Sequence, residues 1–167
     1  MAHTLVLGIT GTGKTLLSQR MARAYKAKGI PVLVLDPFQS ANWQADYITD
    51  IPDEFMNTVF NRTSCAVFID EGGDMIGRWG GVMNQLATRS RHYGHNVHFI
   101  CQRAKMIDIS VRTQCVHLFL FKQSLYDSKE LGNDFVSDEL LQASDLKAGE
   151  FLAKLGVDSQ VKRGRIF

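Results

Sequence analysis

Short, continuously apolar runs alternate along the chain with longer segments whose apolar residues recur at helical spacing. The runs are TLVL at 4–7, VLVL at 32–35, AVFI at 66–69, VHFIC at 97–101 and VHLFLF at 116–121. Each is apolar at successive positions rather than at alternate ones, the pattern of strands buried on both faces. Such strands alternating with amphipathic segments predict an α/β fold, a parallel sheet with helices on both faces.

Leu17, Met21 and Ala24 stand at i, i+4 and i+7 and predict a helix over 14–28, which Gly29 and Pro31 stop. A second helix is expected over 79–93, where Trp79, Val82, Met83, Leu86 and Tyr93 share a face and Gly94 ends it. Shorter helical pieces are expected near 53–60 and 138–144. The last stretch differs, because FLAKL and VKRGRIF flank turn residues 156–159, which predicts a small C-terminal β-hairpin. A chain of 167 residues without internal repeat, low-complexity segment or long linker reads as one domain over 1–167. It divides into a core over 4–122 and a C-terminal helical segment and hairpin over 123–167.

Composition narrows the class. Hydrophobic residues at 45% and charged residues at 22% are those of a globular protein, not of a disordered or fibrous one. No apolar run approaches the ~18–20 residues of a membrane helix, and the start MAHTLVLGITGTGKT is not a secretory signal, so no membrane segment is expected. Cys65, Cys101 and Cys115 are odd in number, lie in apolar runs and form no CxxC pair, which suits buried thiols in a reducing compartment.

Candidate chemistry begins immediately after the first strand. Gly8-Ile9-Thr10-Gly11-Thr12-Gly13-Lys14-Thr15 fits GxxxxGK[ST] and opens the first helix. Glycines allow the backbone to wrap a polyphosphate, so that N–H groups and the helix N-terminus point at its oxygens. Lys14 then reaches the β- and γ-phosphates of ATP, and Thr15 offers its hydroxyl to Mg²⁺. The binding set is Gly8, Thr10, Gly11, Thr12, Gly13, Lys14 and Thr15; the alternative is a Gly-rich turn with an incidental lysine.

The strand AVFI runs into Asp70 and Glu71, the form of a Walker B element. Asp70 is expected to hold the Mg²⁺ shell with Thr15, and Glu71 to act as the base that polarises the attacking water. Asp36 also ends a strand, but Pro37 follows it and a turn explains it. Gln102 ends the strand 97–101. It can donate and accept hydrogen bonds, so it is a candidate for reporting the presence of the γ-phosphate; the alternative is a solvated strand end.

GITGTGKT, VFIDE, RHYGHNVHFICQR and ISVRTQCVHLFLF, in that order, resemble the core of the FtsK–HerA superfamily of DNA-pumping motors over residues 5–121. The chain's size is similar to that of the genome-packaging ATPases of tailless, membrane-containing viruses. The resemblance implies a RecA/ASCE-like P-loop NTPase, with the five strands in the order 5-1-4-3-2 when numbered along the sequence. It also implies a ring homo-oligomer, usually a hexamer, ATP-driven translocation of double-stranded DNA, and capsid or portal-vertex partners at the virion vertex or in the host cytoplasm. Lys14, Thr15, Asp70 and Glu71 keep their roles, and Gln102 matches the family's sensor glutamine.

Arg112 corresponds to the arginine that the family projects into a neighbouring subunit's active site; Arg91 and Arg103 are rivals for that role. The N-terminal β-rich domain of cellular HerA proteins has no counterpart in this sequence, nor do the membrane and DNA-reading domains of FtsK.

The net charge of +2 conceals segregated blocks. Residues 78–112 hold Arg78, Arg89, Arg91, Arg103, Lys105 and Arg112 against Asp108, whereas 127–145 holds six acids against Lys129; Lys154, Lys162, Arg163 and Arg165 make the end basic again. Phosphate contact depends on local positive charge, so the glycine-rich loop 72–81 with Arg78 is a candidate DNA contact or simply a surface loop. His92, His95 and His98 are spaced HxxHxxH, but Gly94 prevents one helical face from presenting all three.

The sequence therefore reads as an ATP-hydrolysing ring motor that packages viral double-stranded DNA. Three alternatives stand beside it: a filamentous-phage assembly ATPase of the zonula-occludens-toxin type, a small P-loop kinase, and an assembly protein holding ATP without turnover.

Overall fold

The computed structural model describes residues 2–39, 42–70 and 76–167, with the backbone alone for 76–80. In chain order the strands are β1 (His3–Leu7), β2 (Val32–Leu35), β3 (Tyr47–Thr49), β4 (Ala66–Ile69), β5 (Asn96–Cys101), β6 (Cys115–Leu120), β7 (Glu150–Leu155) and β8 (Lys162–Arg165). The α-helices are α1 (Lys14–Ala27), α2 (Pro52–Phe60), α3 (Ile76–Arg89), α4 (Ile109–Arg112) and α5 (Leu125–Asp134).

One sheet runs β3-β2-β4-β5-β1-β6-β7-β8. The strands from β3 to β6 are parallel, and β7 and β8 continue the sheet antiparallel. This eight-strand order differs from the expected five-strand one by three additions. The three-residue β3 joins one edge, and the expected C-terminal hairpin joins the other through the pairing of β7 with β6.

Strand periodicity divides the core. Leu5, Leu7, Leu33, Leu35, Val67 and Ile69 face one cluster with Phe55 and Val59 of α2 and Met83 and Leu86 of α3. Val6, Val32, Val34 and Phe68 face the other with Leu17 and Ala22 of α1. Helices thus cover both faces, which is why the central strands show no alternation of apolar and polar positions.

Helix ends follow local chemistry. Gly29 at φ 72 closes α1 in a Schellman motif, with Gly29 N–H donating to Lys26 C=O at 2.9 Å and Ile30 N–H to Tyr25 C=O at 3.1 Å. The expected helix over 79–93 begins earlier, at Ile76, and its last turn, Ser90–Tyr93, tightens into a 3₁₀ helix before Gly94 at φ 79. The piece near 138–144 is likewise a 3₁₀ helix, Asp138–Asp145. Helix α5 is capped by Ser124, whose hydroxyl accepts from Asp127 N–H at 3.1 Å.

Three buried histidines tie strands to helices in defined neutral tautomers. His3 Nδ1 accepts from Val97 N–H while Nε2–H donates to Ala87 C=O. His95 Nδ1 accepts from Cys65 N–H while Nε2–H donates to Val59 C=O. His98 Nδ1–H donates to Val67 C=O, its Nε2 accepts from Tyr25 O–H at 3.3 Å, and its ring stacks on Phe68 at 4.2 Å.

Candidate functional site

The parallel registers bring several strand ends to one edge. Leu35 is level with Ile69, Ile69 with Phe99, and Leu7 with Cys101, so Asp36, Asp70, Gln102 and Gly8 all emerge at the carboxyl side of the sheet. Ligands of open α/β sheets gather at this edge.

The loop from Gly8 to Thr15 is held at both ends. Gly8 N–H donates to Cys101 C=O at 3.3 Å, Ile9 N–H to Lys122 C=O at 3.0 Å, and Leu17 N–H to Gly13 C=O at 3.0 Å. The Thr12 hydroxyl donates to Ile9 C=O at 2.7 Å, and Lys14 Nζ to the same oxygen at 3.2 Å, so the ammonium lies within the loop's own curve. Gly13 sits at φ 110, where a side chain is strained, and an added Cβ would stand 2.8 Å from Ile166 Cγ2. An added Cβ at Gly8 would stand 2.5 Å from Phe121 Cβ.

The loop borders an open cleft of about 300 Å³ lined by Thr10, Gly11, Gly13, Lys14, Thr15, Leu16 and Phe167. At its floor are the first turn of α1, whose N–H groups lack intrahelical acceptors, and the positive end of the helix dipole. This arrangement can hold a polyanion.

Thr15 and Asp70 meet. The Thr15 hydroxyl donates to Asp70 Oδ2 at 3.3 Å, and Asp70 is 1% exposed. Adjacent oxygens in a Mg²⁺ octahedron with ~2.1 Å bonds are about 3.0 Å apart, so this pair fits two neighbouring ligand positions of such an ion. Asp36, also buried, accepts from Phe38 N–H at 3.2 Å and Trp43 Nε1–H at 3.3 Å, which is the turn its proline predicts.

Glu71, the expected base, and positions 72–75 of the glycine-rich loop lie outside the described residues. Gln102 follows β5 directly, and its carbonyl accepts from Gln123 Nε2–H at 2.7 Å. The neighbouring Arg103 forks onto the buried Asp127 at 3.0 and 3.4 Å, joining this strand end to α5.

Arg112 is not brought to the loop. It precedes β6, at the opposite end of the sheet, and is only 6% exposed. One guanidinium N–H donates to Glu130 Oε1 at 2.8 Å, and Nε lies 3.2 Å from Asp134 Oδ2, close enough for an ion pair but not aligned as a hydrogen bond. Burial raises the Asp134 carboxyl, Arg112 opposes that shift, and Glu130 adds to it. Within the single chain, α4 and α5 thus hold the guanidinium between two carboxylates. A separate cavity of about 230 Å³ lies beside this ion pair and Cys115. Of the rivals, Arg91 donates to Gln114 C=O at 2.8 Å, and Arg103 is 44% exposed beside the strand ends.

Sequence reasoning missed the contact between the C-terminal hairpin and the loop. Gly149 N–H donates to Thr12 C=O at 3.0 Å, and Phe167 lines the cleft. Neither residue belongs to a motif; the contact arises because β7 pairs with β6, the neighbour of the strand that carries the loop.

No protein-family model and no curated protein matches this sequence. Among solved structures, it is similar to the genome packaging NTPase B204 from Sulfolobus turreted icosahedral virus 2 in complex with sulfate. The TM-score is 0.80 at 14% identity, over 98% of this chain and 96% of that one. The pCW3 conjugation coupling protein TcpA, solved with ATPγS, gives 0.75 at 19% identity over 99% of this chain and 61% of that one. VirB4 of Thermoanaerobacter pseudethanolicus gives 0.74 at 10% identity over 99% and 89%. The chain has the α/β fold of these proteins, which is the fold that the FtsK–HerA resemblance implied.

Proposed function

We propose that this chain is an ATP-hydrolysing motor subunit that works in a ring, a hexamer on the FtsK–HerA resemblance, and drives viral double-stranded DNA into a preformed capsid. The observation that carries the ATPase reading is the loop cleft with Thr15 and Asp70 in contact beside it. The packaging assignment is supported by likeness to a genome packaging NTPase over almost the whole of both chains.

In this reading the loop N–H groups and Lys14 bind the β- and γ-phosphates, and Thr15 with Asp70 hold Mg²⁺. Mg²⁺ held there would supply positive charge against the phosphate oxygens. Glu71 takes a proton from water as its oxygen bonds to the γ-phosphorus and the bond to the β-phosphate oxygen breaks. Gln102 and Arg103 lie at one strand end, and the Arg103–Asp127 pair gives loss of the γ-phosphate a route to α5. Arg112 serves a neighbouring site only once Glu130 and Asp134 release it, and the half-exposed Arg103 is the alternative finger. Capsid or portal-vertex proteins are the partners, at the virion vertex or in the host cytoplasm.

The likeness to a conjugation coupling protein favours one second reading, transfer of DNA across an envelope. The deciding experiment is ATPase rate without DNA, with duplex and with single strands, alongside mass measurement in a nonhydrolysable nucleotide. Duplex stimulation and a ring mass are expected. A monomer indifferent to duplex removes the packaging reading, and stimulation by single strands alone favours export.

A further inference from the structure

The phosphate cleft has one wall that phosphate chemistry does not need. Phe167 is 57% exposed and lines the cleft beside Thr15 and Leu16, at the start of α1. Its position is fixed from behind. Ile166 is buried, and its N–H donates to Gly149 C=O at 2.8 Å, while Gly149 N–H holds the loop at Thr12. The ring edge leans on two glycines. An added Cβ at Gly149 would stand 2.8 Å from Phe167 Cε2, and one at Gly13 would stand 3.3 Å from Cε1.

A large apolar ring held against the rim of a polyanion cleft and left open to solvent on its outer side is suited to a flat, apolar-faced group attached to the phosphates. We propose that Phe167 is the stacking platform for the base of the bound nucleoside triphosphate. This inference rests on the nucleotide reading of the loop and extends it to a residue that no phosphate motif contains. Every base presents a π-face, so stacking supplies affinity without choosing between bases, and ATP and GTP benefit alike. The hairpin then has a second role: by carrying Phe167 and bonding to Thr12, it couples the base to the loop that holds the phosphates.

The test compares ATPγS with inorganic tripolyphosphate, which has the phosphate chain and no base, in calorimetric titrations of wild type, Phe167→Leu and Phe167→Trp. The leucine keeps an apolar contact on Gly13 and Gly149 but has no π-face. It should bind ATPγS on the order of 10-fold more weakly, while tripolyphosphate affinity changes less than about twofold. The tryptophan should keep ATPγS affinity, and its added fluorescence should respond to ATPγS but not to tripolyphosphate. Equal loss of both ligands in the leucine variant makes the ring a brace for the loop and overturns the proposal, as does no loss of either. If wild type binds tripolyphosphate, any failure belongs to the stacking inference alone; if wild type binds neither ligand, the nucleotide reading falls with it.

Discussion

Thr15 and Asp70, 55 positions apart in sequence, are joined by a 3.3 Å hydrogen bond between the first turn of α1 and the end of β4. Both are oxygen donors at one edge of the sheet, and the bond holds them at the spacing of two cation ligands. Asp70→Asn keeps the shape and removes the charge. Mg²⁺-dependent ATP turnover should fall at least about 100-fold, since a metal's charge stabilisation is worth several kcal/mol. Tripolyphosphate binding in EDTA should change little; loss of both would make Asp70 a folding residue instead.

Glu71→Gln should leave ATP binding intact and abolish turnover, because the amide cannot accept the water's proton. Multiple-turnover phosphate release at the wild-type rate would remove Glu71 as the base.

Arg112→Ala leaves Glu130 and Asp134 facing each other without a cation in a partly buried site. Removing one partner of such an ion pair destabilises by about 3 kcal/mol. A urea midpoint should show this in the isolated subunit, with Arg112→Lys recovering part of the loss. A variant as stable as wild type, inactive alone but active when mixed with Glu71→Gln subunits, would establish Arg112 as a finger acting in trans.

Gly13→Ala places a methyl group where Ile166 already stands, at a backbone angle that disfavours any side chain. The loop and the hairpin must part, so the variant should lose nucleotide binding and at least about 1 kcal/mol of stability. Titration of ATPγS and thermal melting check the two effects separately.

His98 is buried, and that burial lowers its pKa to about 4, outweighing its hydrogen bond to Val67; His3 is lowered to about 4 by burial first and by Arg91 second. Both stay neutral when folded, whereas the unfolded chain takes up a proton near pH 6.5. Stability should therefore be full above about pH 6.5 and decline as pH falls toward 4. His98 alone accounts for about 1 kcal/mol at pH 5.5 and about 3 kcal/mol by pH 4. Urea midpoints across this window measure the slope, which should flatten in His98→Phe.

The five apolar runs foretold five strands because burial on both faces removes the regular alternation of apolar and polar positions and leaves short, dense apolar runs. The phosphate loop was legible for a similar reason: its glycines, lysine and threonine are contiguous. β3 escaped because Tyr47–Thr49 is a three-residue edge strand that is only partly buried. The ion pairs of Arg112 were not legible because an arginine's sequence neighbours say nothing of Glu130 and Asp134, which reach it from another helix. Phe167 was read only as part of a hairpin, since its place at the cleft depends on which sheet edge that hairpin joins.

The sheet's two borders also limit how copies of the chain meet. At one, β3 offers only three residues to a further strand; at the other, β8 exposes Lys162, Arg163 and Arg165. A short border and a cationic one both resist strand-to-strand addition, the route by which exposed edges polymerise or aggregate. In the proposed ring, copies would then meet through side-chain surfaces that can slide and re-form, and not through a backbone ladder that would lock its members together.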